Sequence, residues 1–152
     1  MKSIKFSGFI IFIAFAGLIS CNNEKEKGVS EGTNGQENIV AKNIEKTKTF
    51  YPMFEKGDWD GIEKIVDPNF QDHNAMMEPG TPSNRDTLMK YLKITREAFP
   101  DLKFDIMHVA GADDIVFVHF RFTGTNTGSF LGMPATNKKV DYSGVDMVRV
   151  KD

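Results

Sequence analysis

Residues 115–123, Ile-Val-Phe-Val-His-Phe-Arg-Phe-Thr, decide the fold class. β-Branched and aromatic side chains fill the run, and its apolar pattern repeats every two residues, as a strand requires. Val116, Val118, Phe120 and Phe122 share one face; Ile115, Phe117, His119, Arg121 and Thr123 share the other. Apolar content on both faces predicts that both are covered. Upstream, Leu102, Phe104, Ile106, His108 and Ala110 alternate with Lys103, Asp105, Met107 and Val109, and Asp113-Asp114 makes a turn between the two strands. Downstream, Gly124–Pro134 is a glycine-rich connection to a third strand, Lys139–Val150, on which Tyr142, Gly144, Asp146 and Val148 share a face. Three strands joined in sequence predict an antiparallel meander.

Before the strands the apolar period is 3.6. Ile39, Val40, Ile44, Thr47, Tyr51 and Phe54 predict an amphipathic helix over 38–56, stopped by Gly57-Asp58. Trp59-Asp60-Gly61 opens a short helical turn carrying Ile62, Ile65 and Val66, which Pro68 ends, and 70–73 reads as a short strand. Ser83-Asn84-Arg85-Asp86 fits a capping box. The helix it opens buries Leu88, Tyr91, Leu92 and Phe99 and ends at Pro100. Helices followed by a meander give the α+β class, with helices packed on one face of a curved sheet.

The N-terminus belongs to another class. Lys2 and Lys5 precede an apolar run from Phe6 to Ile19, 14 residues long. That is short of the roughly 20 residues a spanning helix needs. A charged start, a short apolar centre and small residues at the end read as an export signal. Leu18-Ile19-Ser20-Cys21 resembles the lipobox of bacterial lipoproteins, which implies cleavage before Cys21, acylation of that cysteine and anchoring in the cell envelope, facing the periplasm or the surface. Residues 22–37, rich in Asn, Glu, Lys, Gly and Ser, read as a flexible tether. The expected organisation is therefore a signal over 1–21, a tether over 22–37 and a globular domain over 38–152.

Composition narrows the chemistry. The 152 residues carry 19 basic and 21 acidic side chains, a formal charge of −2 that becomes −4 without Lys2 and Lys5. Such a balance gives no reason to bind nucleic acid. Cys21 is the one cysteine, so an acylated chain offers no thiol for a nucleophile or a thiolate metal site. No Gly-x-Ser-x-Gly elbow, His-Glu-x-x-His zinc motif or Walker loop occurs. The glycines of 124–132 lack a following helix that could cradle phosphate, and read as turn residues.

Asp72-His73, Arg96-Glu97-Ala98-Phe99-Pro100-Asp101-Leu102, Gly124-Thr125-Asn126-Thr127-Gly128-Ser129-Phe130-Leu131-Gly132 and Gly144-Val145-Asp146-Met147-Val148-Arg149 occur in one order over most of 38–152. In these stretches the chain resembles the SnoaL-like polyketide cyclases, also called ester cyclases, of the nuclear-transport-factor-2-like superfamily. The resemblance implies a cone-shaped α+β fold whose open end admits a small hydrophobic ligand, and dimerisation through the sheet. It also implies ring closure by intramolecular aldol condensation, with neither metal nor organic cofactor. Such chemistry needs a base beside a carbonyl and donors for the enolate oxygen. Family members often carry histidine where this chain has Asn126. The family's last strand, which supplies its acid/base carboxylate, would follow Asp152, so that strand is expected to be missing from the sequence as it stands.

Candidate catalytic residues are His73, Asp146 and His119; candidate ligand-binding residues are Asp72, Arg121, Asn126 and Tyr142. Each has a structural alternative. His73 could cap the loop after it, Asp72 could bond loop backbone, and Tyr142 could simply pack. His119 and Arg121 could pair with Asp141 or Asp146 across the sheet. Asp146, between Val145 and Met147, is either a proton-transfer residue or a partner for Arg121. His119, Arg121 and Asp146 are expected to line one cavity. Two functional readings stand: acid–base cyclisation or isomerisation of a carbonyl compound, and a non-catalytic binding module that kept the cone and lost the chemistry.

Overall fold

The computed structural model describes residues 31–73 and 80–151, so the signal segment, Cys21 and the first part of the tether lie outside the described residues. Four helices precede the sheet: α1 (Glu31–Lys48), α2 (Phe50–Lys56), α3 (Trp59–Ile65) and α4 (Arg85–Ala98). The helix expected over 38–56 is thus two helices, broken at Thr49. Pro52 explains the break, because it has no N–H to offer the carbonyl of Lys48. Thr49 Oγ1 donates to the carbonyl of Lys46 at 2.7 Å, a side-chain bond that competes with the helical ladder. At the other end α1 begins at Glu31, so residues 31–37 are helix rather than tether. Gln36 Nε2 ties that end to Asp113 Oδ1 at 2.8 Å.

The remaining stops and starts follow from local chemistry. Gly57, at φ +73°, closes α2 in the left-handed region and donates its N–H to the carbonyls of Met53 and Phe54. Asp58 caps α3 by accepting from the Gly61 N–H at 3.0 Å. On α4 the cap is Asn84, which accepts from the Thr87 N–H at 3.0 Å. The expected cap, Ser83, instead donates its hydroxyl to the carbonyl of Asp72. Residues 70–73 form no strand.

Three antiparallel strands, β1 (Lys103–Ala112), β2 (Ile115–Thr125) and β3 (Lys139–Arg149), form one sheet in the order β1-β2-β3. Among the described residues β3 pairs on one side only, with β2. The β2–β3 register is regular and sets Phe122 opposite Tyr142, Phe120 opposite Gly144 and Val118 opposite Asp146. The β1–β2 register shifts between Ile106 and His108, where Met107 is an extra residue. This bulge corrects the uniform alternation expected of β1. Phe104 and Ile106 face the helices, but beyond the bulge Val109 takes that face, while His108 and Ala110 turn to the other.

The core lies between the helices and the inner face of the sheet. Val116, Val118, Phe120 and Phe122 are buried there with Tyr51, Phe54, Ile62, Met89, Leu92, Phe99 and Leu102. The outer face is open among the described residues: Phe117 is 41% exposed, Val145 63% and Met147 69%. Within the described residues of one chain, the second face of β2 is therefore left uncovered. Apolar content on the second face of β2 does not mean burial.

The connection over 126–138 wraps the end of α4. Thr127 and Gly128 both donate their N–H groups to the Ala98 carbonyl, at 3.0 and 3.2 Å. A Cβ on Gly128 would stand 2.7 Å from the Glu97 carbonyl oxygen, so backbone meets backbone with no room for a side chain. Gly128→Ala is expected to destabilise the domain by about 1–3 kcal/mol, the usual cost of overpacking. Urea unfolding measures this, and an unchanged midpoint would mean that the loop moves aside freely.

Candidate functional site

Tyr51 is the buried tyrosine of α2, only 3% exposed. Its ring packs on Phe104 and Phe120, with centroids at 5.3 and 6.0 Å. A phenol held in such surroundings needs a partner for its hydroxyl. It finds one across the core, where Tyr51 Oη donates to Asp146 Oδ2 at 2.7 Å. Gly144 makes the approach possible from the sheet side. A Cβ there would lie 2.7 Å from Phe120 Cζ, so the bare backbone lets that ring settle over β3 between Tyr142 and Asp146.

Burial raises the Asp146 carboxyl above the usual carboxylate range, the Tyr51 hydrogen bond opposes the rise, and the charge of Asp72 adds to it. The Tyr51 phenol is pushed above its ordinary value, first by burial and then by Asp146, so it keeps its proton and acts as a donor. Tyr142 is raised by burial, Asp146 and Tyr91. Tyr91 is raised by burial and by Asp72. Two carboxyl groups and three phenols therefore share one electrostatic neighbourhood on the helix side of the sheet. The apolar lining comes from aromatic rings: Tyr142 stacks on Phe122 at 5.1 Å, and Tyr91 meets Phe130 edge to face at 6.1 Å.

Of the residues singled out from the sequence, Asp146, Tyr142 and Asp72 belong to this cluster. His73 follows Asp72 and is exposed. His119 and Arg121 do not belong. They point from β2 to the outer face, opposite Val145 and Ser143, whereas Asp146 lies opposite Val118 on the inner one. The expectation that His119, Arg121 and Asp146 line one cavity is therefore wrong, and the register is the reason. Arg121 instead grips Asp141 through two bonds of 2.8 and 2.5 Å, which lower the Asp141 carboxyl below its usual range. That exposed pair is a cross-strand contact worth little to stability.

Asn126 is also structural. It is buried, its nitrogen donates to the Gly128 carbonyl, and its oxygen accepts from the Thr136 N–H and hydroxyl. Tyr51 and Tyr91 were missed as site residues because they occupy apolar positions of their helices; the signal was a phenol in a buried stripe. An open groove of about 400 Å³, lined in part by Val40, Ile44, Gly111 and Asp113, runs between α1 and the β1–β2 turn, on residues separate from the cluster. Among the described residues no three histidine, cysteine or carboxylate side chains converge as a metal site, and no helix is long and apolar enough to cross a membrane.

Solved structures share this architecture. One is assigned as a SnoaL-like polyketide cyclase, from Jannaschia sp. CCS1, and is 23% identical; the match covers 75% of this chain and 80% of that one, with a TM-score of 0.64. IdmH from Streptomyces antibioticus, assigned as a polyketide cyclase, is 24% identical over 72% of this chain and 84% of its own, with a TM-score of 0.62. AclR from Streptomyces galilaeus, assigned as a hydroxylase, is 22% identical over 74% and 69%, with a TM-score of 0.64. These likenesses establish the fold, and the different names they carry show that it does not dictate one reaction. Among curated proteins no match was found. The family model for SnoaL-like polyketide cyclases matches residues 45–152, which span α2 to α4 and all three strands, and the chain accordingly belongs to the SnoaL-like polyketide cyclase family.

Proposed function

We propose that the domain performs cofactor-free acid–base chemistry, a cyclisation or isomerisation, on a small neutral hydrophobic carbonyl compound, with Asp146 as the proton-transfer group. The observation that carries this reading is the Asp146 carboxyl, half-buried, bonded to Tyr51 and held above the usual carboxylate range. A carboxyl of raised pKa is a stronger base when ionised and holds its proton more readily as an acid. As carboxylate it takes a proton from the carbon beside a carbonyl. The resulting enolate carbon attacks a second carbonyl of the same molecule, and the new alkoxide takes the proton back from Asp146, which restores the carboxylate. Charge develops on oxygen, and Tyr142, half-exposed beside Asp146, is the phenol best suited to donate to it.

The surroundings support the substrate class. Phenols and phenyl rings suit a flat apolar molecule, and two carboxyl groups disfavour an anion. The export signal and the Cys21 lipobox support a head tethered to the cell envelope.

Removal of a proton beside a carbonyl exchanges it with solvent, whatever reaction follows. Neutral aromatic and aliphatic ketones incubated with the protein in deuterium oxide are expected to take up deuterium at that carbon, read by NMR. The rate should climb with pH through the raised pKa of Asp146, because the carboxylate is the active form. Ketones that bind and broaden tyrosine resonances without exchanging would sink the catalytic reading and leave the non-catalytic binding module.

A further inference from the structure

The bulge at Met107 brings two histidines face to face. With regular pleating Met107 would oppose His119, and His108 would turn inward. The extra residue instead sets His108 directly opposite His119 on the outer face of the sheet. Their Nδ1 atoms lie 3.2 Å apart and the two rings are within 8° of parallel. Neutral imidazole carries one N–H and one lone pair. As it stands one Nδ1–H can donate to the other ring; with both protons on Nε2 instead, two lone pairs face the space between the rings.

We propose that His108 and His119 form a two-histidine chelate for a divalent first-row transition-metal ion, with water completing the coordination. Two nitrogens about 2.0–2.1 Å from a shared ion stand 3.2 Å apart when the angle at the ion is roughly 100°, between square and tetrahedral. Near-parallel rings on adjacent strands hold the two nitrogens at that spacing, and a small tilt of the rings turns both lone pairs onto the ion. Imidazole favours copper, zinc and nickel over calcium or magnesium, and among divalent ions copper binds such nitrogens most tightly. Arg121 lies two residues from His119 on the same face, but Asp141 neutralises it through the paired bonds, and Asp105 stands opposite it on β1. Val145, across from His119 on β3, adds no charge.

The sequence contains three histidines, which makes the test clean. The full-length chain, purified without a histidine tag, is titrated with Cu²⁺ and with Zn²⁺ by calorimetry. Electron paramagnetic resonance then reads the nitrogen ligands of Cu²⁺. One Cu²⁺ per chain with two-nitrogen splitting is expected, bound more tightly than Zn²⁺. Binding should be lost in H108Q and in H119Q and kept in H73Q. It should also weaken as the solution is acidified and protons compete for the imidazole nitrogens, with Asp105, Asp141 and Arg121 as the charged groups on that face. Both glutamine variants lie on the outer face, so their unchanged circular dichroism separates loss of the ligand from loss of the fold. Copper bound equally by H108Q and H119Q, or no stoichiometric copper at all, overturns the proposal.

Discussion

Asp146→Asn is expected to lower the catalysed deuterium exchange by at least ~10²-fold, the lower end of what a positioned general base contributes. The same substitution should make the folded domain more stable at neutral pH, not less. Because Asp146 titrates above its unfolded value of about 3.9, the native state binds more protons than the unfolded state between the two pKa values. The carboxyl therefore favours folding fully only below pH ~4, and its contribution is lost as pH rises through the raised native pKa. Asparagine keeps an oxygen to accept from Tyr51 and never ionises. A gain in stability is expected at neutral pH, shrinking toward pH 4, as is usual when a strained functional group is removed. Thermal unfolding of both proteins across that range tests the sign. A variant less stable than the parent at pH 7 would mean that the ionised carboxylate is a structural ion, and the site reading would fall with it.

Phe104→Ala should have the largest effect on stability. Its ring, on β1, sits within 5.3–5.5 Å, centroid to centroid, of Tyr51, Phe54, Phe120 and Phe122, and so joins α2 to β1 and β2. Its backbone N–H is bound by Glu55 Oε1 at 2.7 Å, which fixes the strand against the same helix. Removing the ring deletes apolar contact and leaves a void that four rigid aromatic neighbours cannot close. About 3–5 kcal/mol is expected, a large share of the 5–15 kcal/mol that holds an ordinary domain together. Phe117→Ala is the matched comparison, since that ring lies on the open face and should change stability by no more than about 0.5 kcal/mol. Equal losses from the two, measured by urea unfolding, would contradict the assignment of inner and outer faces. Phe104 also seats Tyr51, so the variant should reduce exchange even where it remains folded.

The class of fold was legible because the apolar period changes from 3.6 to 2 at Leu102, and no other arrangement of helices and meander uses both patterns so economically. The faces of β2 and β3 were legible too: Tyr142, Gly144 and Asp146 do share a side, as do His119 and Arg121. What could not be read was how the two strands align. One residue of slip moves every side chain to the opposite face, and nothing within either strand marks its partner. That single unknown joined Asp146 to Arg121 on paper and separates them in the molecule. Met107 was hidden for a related reason, since a bulge has no signature in a run that still looks alternating. Asn126 was misread because a polar residue in a glycine-rich connection satisfies loop backbone as readily as a ligand. Tyr51 was visible as a buried helix position, but its partner lies 95 residues away in sequence and only the assembled core joins them.

Met107 also bears on how this hairpin can change over time. A residue inserted there uncouples the half of the hairpin near the turn from the half near α4, so each can vary under its own constraint. Position-by-position comparison with a relative lacking that insertion would equate His108 with an inward residue and Val109 with an outward one. Because the bulge absorbs the extra residue in place, losing that one codon would leave Ile106, His108 and Val109 opposite the partners they now have.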